Sequence, residues 1–302
     1  MVMIMNKATS KYRLSSNVFE RQDETHKIEP KKMIILSVEG DETERCYFQC
    51  LNKFLDSQLI QIEVLRHRRG DGYSDPIYVI ELLNEYVDVR NGEEIPEDLP
   101  KTFFDKYTVD VIKNYLTQKD SLAPKLQKEI EEDLLQIGID IEYRRYLKQF
   151  DNDSDYFAVI LDRDCGNHSK ELMAKCLDIC KEKGYGYYVT NPCFEFWLLM
   201  HLCNVEETYS QDELNQMYLN QKVSKRHTVV SREVSRLAGH YKSISLGKFV
   251  KCYLPNIQAA IENSKSFACK FPELFDELGT NITQLYNVLD VPKALRDNKE
   301  TE

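Results

Sequence analysis

The sequence predicts an α/β fold: a parallel sheet flanked by helices, with a helical insertion and a helical C-terminal part. Three observations predict it. Met33-Ile-Ile-Leu-Ser-Val38 is an apolar run of strand length, the mark of a strand covered on both faces. Strand, helix and strand patterns follow one another at residues 33–65 and again at 156–189. Most of the rest has helical spacing.

Taken in order, residues 1–30 lack a sustained apolar period and are expected to form a flexible leader. After the first strand, Cys46, Tyr47, Cys50, Leu51, Phe54 and Leu55 recur at helical spacing, which predicts a helix over 43–55. Ile60 to Leu65 alternates, with Ile62 and Val64 on one face. Gly70 to Pro76 is turn-rich. Residues 77–150 look helical, with breaks at Asn91-Gly92, Pro96 and Pro100, and are expected to be an insertion. The second unit comprises strand 156–161, helix 170–182 and strand 185–189, then an almost wholly apolar helix over 193–203. The expected organisation is therefore an α/β core over 31–205, carrying the insertion, with a helical part over 206–302 packed on it.

Composition narrows the function. The chain has 302 residues, 42% of them hydrophobic, which excludes a disordered chain. A chain of this length buries about 75% of its unfolded surface and needs no metal or disulfide staple. The net charge of −10 argues against a basic coat for nucleic acid, although a local basic surface can act alone. No apolar run reaches the length of a membrane span, and Met1 to Met5 is too short for a signal core, so a cytoplasmic protein is expected. The nine cysteines include no C-x-x-C pair. Cys46/Cys50 and Cys176/Cys180 sit four apart, which suits reduced thiols on helix faces better than zinc ligands. There is no G-x-x-x-x-G-K phosphate loop, so any ATPase would be another chain.

Chemistry is concentrated in carboxylates at strand ends, where ligands of parallel sheets sit. Glu39 leaves the first strand directly, and Gly40 after it permits a sharp turn. Glu42 and Glu44 follow; the plain reading of both is favourable charge at a helix N-terminus. Leu161-Asp162-Arg163-Asp164 ends the third strand, and strand alternation would put Asp162 and Asp164 on one face with Arg163 on the other. Two such carboxylates repel unless a cation lies between them, and hard oxygen donors suit Mg²⁺. The alternative is a solvated acidic loop. In Asn191-Pro-Cys-Phe-Glu195, Asn191 reads as an N-cap and Pro192 as the first helical residue, so the helix dipole alone could account for Glu195. Yet Glu195 lies among Phe194, Phe196, Trp197, Leu198 and Leu199, where a carboxylate is costly unless paired or metal-bound. His201 falls on a different face of that helix and reads as a hydrogen-bonded structural histidine.

These segments together resemble the RloB-like abortive-infection family, in the topoisomerase–primase (Toprim) group near the OLD-family nucleases. The resemblance is carried by Val38-Glu39-Gly40 with Thr43-Glu44 and Tyr47-Phe48, by Leu161-Asp162-Arg163-Asp164, and by Asn191-Pro-Cys-Phe-Glu-Phe-Trp-Leu-Leu-Met-His201. Asn281-Ile-Thr-Gln-Leu-Tyr286 is similar to the family's C-terminal Asn-Pro-Ser-Thr segment without its proline. The resemblance implies a Toprim-like sheet and a Mg²⁺ (or Mn²⁺) site made by Glu39, Asp162 and Asp164, with Glu44 as a candidate for a second metal. It adds Glu195 to Glu39, Asp162 and Asp164 as candidate catalytic residues. It further implies an effector in antiviral defence that cuts nucleic acid, RNA before DNA and tRNA among its targets, beside a separate ATPase subunit. A homo-oligomer is left open.

Basic residues supply candidate phosphate contacts. Residues 221–251 carry Lys222, Lys225, Arg226, Arg232, Arg236, Lys242, Lys248 and Lys251 against Glu233 alone, with aromatic residues interleaved. Arg66, Arg68 and Arg69 follow the second strand, at the acidic end of the sheet. A solvated cationic helix face is the alternative for the longer run. Three readings thus remain: a Mg²⁺-dependent nuclease, a non-catalytic subunit holding an ATPase, and a nucleotide-sugar transferase using D-x-D. The last leaves Glu39 and the basic run without a role.

Overall fold

A computed structural model describes residues 31–40, 42–65, 75–90, 101–117, 121–136, 154–239 and 243–289. The expected leader, and Arg66, Arg68, Arg69 and Lys242, lie outside them. The sheet has five strands: β1 (Lys32–Val38), β2 (Ile60–Val64), β3 (Tyr156–Asp162), β4 (Gly186–Asn191) and β5 (Gly279–Thr280). Their order is β2-β1-β3-β4-β5; the first four are parallel and β5 runs antiparallel to β4.

β1 explains why the sheet is covered twice. Ile34, Leu36 and Val38 enter one core with Ile62, Val64, Ala158 and Ile160; Met33 and Ile35 enter the other with Val159, Leu161 and Val189. The first core is closed by helices α1 (Thr43–Asn52) and, later in the chain, Phe194–Leu202. The second is closed by α2 (Pro76–Arg90), through Val79, Ile80 and Leu83, and by the helix Lys170–Lys183, through Met173, Cys176 and Cys180. The helix α2 therefore covers the sheet, although the sequence assigns it to an insertion. The Ser37 hydroxyl donates to the Val79 carbonyl at 2.7 Å and ties it to β1. The next three helices, α3 (Lys101–Lys106), α4 (Val109–Thr117) and α5 (Pro124–Gln136), gather a separate small core around Phe103, Ile112 and Ile130.

The helix Lys170–Lys183 is α6 and Phe194–Leu202 is α7. After them come α8 (Val205–Thr208), α9 (Gln211–Leu219), α10 (Val229–Ala238), α11 (Leu246–Lys248), α12 (Ile257–Asn263) and α13 (Thr283–Leu289). Apart from α11, these C-terminal helices share the first core, and the segment also supplies a strand. Asn281 extends that short pairing: its side chain accepts from Val189 N–H at 2.7 Å and donates to the Tyr187 carbonyl at 2.8 Å. The nine cysteines are free thiols, and burial pushes Cys176 up to about 11. Among the described residues no helix is long and apolar enough to cross a membrane.

Candidate functional site

The carboxyl ends of β1 and β3 lie side by side, so Glu39 and Asp162 meet there. The Glu39 N–H continues the sheet by donating to the Ile160 carbonyl at 3.1 Å. Its carboxylate reaches back across the strands and accepts from Asp162 N–H at 3.0 Å. Asp162 Oδ1 accepts in turn from Phe194 N–H, the first amide of α7, at 2.8 Å. A carboxylate from a neighbouring strand thus satisfies one of the open donors of that helix. This displaces the expected capping by Asn191, which is the last residue of β4 and donates its side-chain amide to the Leu274 carbonyl at 3.0 Å. Pro192 precedes Cys193, the residue flanking the helix start, and is outside the helix.

Asp162 and Asp164 do not share a strand face, because β3 ends at Asp162. Asp164 stands in a turn at φ 29°, a left-handed conformation that aspartate tolerates better than most residues. The turn is tied at several points. Asp164 N–H donates to the Pro192 carbonyl at 2.9 Å, and the Asn167 side chain donates to the Asp164 carboxylate at 2.7 Å. Arg163 is buried beneath it and donates to the carbonyls of His168 and Phe275. His168, also buried, places Nδ1 at 3.1 Å from the Asp162 carbonyl and Nε2 at 3.8 Å from Glu39 Oε1. A carbonyl only accepts, so Nδ1 carries the proton there.

Glu44 is buried in the first turn of α1, within electrostatic reach of both acids. Gly40 makes room for it: any Cβ there would fall inside the Glu44 carboxylate. Close approach, and no left-handed turn, is what Gly40 supplies. Burial pushes Glu39 up to about 8; the Asp162 N–H opposes this, while Glu44, Asp164 and Asp75 add to it. Asp162 is raised well above the usual range by burial, then by Glu44, Glu39 and Glu195, against the pull of Phe194 N–H. All five candidate carboxylates therefore act on one small region.

Sequence reasoning missed His168 and Asp75. Asp75 accepts from Ile77 N–H at 2.9 Å at the start of α2, and Asp-Pro before an apolar run was its signal. No sequence signal marks His168, since only the turn at Asp164 brings it back to Glu39.

A family model described as RloB-like protein matches residues 34–289. The chain belongs to the RloB-like family. Searches of the curated proteins and of the solved structures find no match.

A hard divalent cation suits these donors chemically. Glu39 and Asp162 each commit one oxygen to a backbone N–H, which fixes the carboxylate, and the second oxygen of Glu39 faces His168. Among the described residues, no three His, Cys, Asp or Glu side chains stand close enough to hold an ion as they are. Glu44 or Asp164 would have to turn inward to complete a site.

Proposed function

We propose that this RloB-like protein is a Mg²⁺- or Mn²⁺-dependent nuclease acting as a defence effector, with RNA, tRNA included, as its first substrate. One observation carries the reading: Glu39 and Asp162 stand half-buried side by side, pushed toward their neutral forms, and backed by Glu44 and Asp164. Mutually repelling buried carboxylates are an expensive arrangement that a divalent cation relieves. Such an ion would supply an activated water and neutralise charge on the phosphate. Asp162 and Glu39 would hold it from fixed positions, with Glu44 or Asp164 completing its shell. Glu195 would add negative charge near Asp162. RNA is favoured over DNA on the family resemblance, because effectors of this kind often halt translation.

The test is purified full-length protein with Mg²⁺ or Mn²⁺ against total tRNA, mRNA and plasmid DNA. Cleavage that vanishes in folded Asp162→Ala supports the reading, and full activity in that variant would sink it. Degradation of DNA alone would reverse the substrate choice. A second reading, a non-catalytic subunit that holds a partner ATPase, needs no ready three-ligand cage, and among the described residues none stands assembled. On that reading Asp162→Ala leaves defence intact in cells.

A further inference from the structure

The basic run 221–251 is not one surface. Within α10, Arg236 donates to Glu233 at 2.8 Å and Arg232 lies 3.4 Å from the same carboxylate. Lys248 donates to the Gly239 carbonyl at 3.3 Å, and burial lowers its pKa. Lys222, Lys225 and Arg226 are exposed and clustered on one turn between α9 and α10, with no acid among residues 221–228.

That turn is a built finger. Val223 and Ser224 N–H both donate to the His227 carbonyl, at 2.9 and 3.1 Å, and Lys222 bridges to Thr228. The Ser224 hydroxyl accepts from the N–H groups of Arg226 and His227, at 3.2 and 3.1 Å, which holds the tip closed. The base of the finger is fastened to the acidic centre in two places. The Asn220 side chain donates to Cys193 Sγ at 3.3 Å, and the next residue, Phe194, donates to Asp162. Tyr218 lies against Cys165 of the Asp164 turn, and burial with that thiol raises its pKa. Leu219 and Val223 are exposed beside the cations, at 63% and 42%. Three cations on a rigid turn with apolar side chains next to them suit phosphates flanked by sugars and bases.

We propose that the finger Gln221–His227 grips the phosphodiester backbone of a single nucleic-acid strand and leads it to the Glu39–Asp162 centre. The inference rests on the nuclease reading for what happens at that centre, but the grip itself is a binding property. Its test is anisotropy of a labelled single-stranded RNA, in EDTA so that no cleavage intervenes, across a salt series. The variant is Lys222→Gln with Lys225→Gln and Arg226→Gln. A charge-matched control carries Lys175→Gln, Lys181→Gln and Lys183→Gln on α6. We expect the finger variant to bind at least about tenfold more weakly and to lose about two from the slope of log affinity against log salt, with the control unchanged. An unchanged slope, an equal loss in the control, or no binding by the wild type overturns the grip. Binding lost in the finger variant while the wild type cuts nothing keeps the grip and removes the nuclease. Cleavage with unaltered KM in the finger variant does the reverse.

Discussion

Two buried polar clusters hang on the same pair of helices, and they are chemical opposites. α1 carries Glu44 and Tyr47; α7 carries Glu195 and His201. Deeper in the core, His201 Nδ1 lies 3.0 Å from the Trp197 carbonyl and must donate to it. Nε2 then accepts from the Tyr47 hydroxyl at 3.0 Å, and Tyr286 donates to Tyr47. Every member is neutral: burial holds His201 down to about 4 and pushes both tyrosines up. At the sheet end, burial acts on acids that repel one another, and the backbone N–H groups of Asp162 and Phe194 oppose it. Burial alone therefore does not mark a functional site. What separates the two is whether donors and acceptors match.

The largest expected difference follows from Asp162→Asn. The amide still accepts from Phe194 N–H, but the charge is gone. Cleavage should fall at least about a thousandfold, while stability without divalent metal rises, because a repelling charge has been removed. Lost stability in metal-free urea melts would show that the acids are matched after all.

The next effect is a pH dependence. Glu39 ionises at an ordinary 4.5 in the unfolded chain and at about 8 in the fold. The folded state therefore keeps the proton longer. The stability this contributes is complete below 4.5 and is lost as pH rises through about 8. The wild type should lose several kcal/mol more than Glu39→Gln over that window, and Mn²⁺ should restore it at the alkaline end. Parallel pH curves for the two proteins would refute the shift.

Legibility followed the same division. β1 and β3 were readable because strands covered on both faces are continuously apolar. Glu39 and Asp162 were readable because each stands where such a run stops. The sheet-covering role of α2 was not, since Val79, Ile80 and Leu83 say that a helix is buried but not against what. β5 was invisible: Gly279 and Thr280 form a strand only because Asn281 and Thr280 meet the edge of β4. The finger was hidden in an evenly charged run, because Glu233 engages Arg232 and Arg236 only once α10 is wound.

Tyr47→Phe probes the matched cluster. It leaves His201 Nε2 and the Tyr286 hydroxyl buried without their partner, which costs about 1–3 kcal/mol. Denaturant melts should show that loss with kcat unchanged. A changed kcat at unchanged stability would join the two clusters into one site.

Gly40→Ala has the smallest effect on the fold and tests where the boundary lies. The atoms that a new Cβ meets belong to the end of the flexible Glu44 side chain, not to backbone. Glu44 can swing away, so stability should change by less than about 1 kcal/mol, within the range of a tolerated side-chain shift. Moving Glu44 also removes one of the charges that raises Glu39 and Asp162. Both acids should then titrate lower in carboxylate-detected NMR, and metal affinity should weaken as a donor is withdrawn. The contrast is with Gly279, where a Cβ would strike the Ala268 backbone and nothing can swing aside. If Gly40→Ala instead unfolds the chain, Glu44 is held as rigidly as the tyrosines beneath it, and the acidic end is a matched cluster of its own.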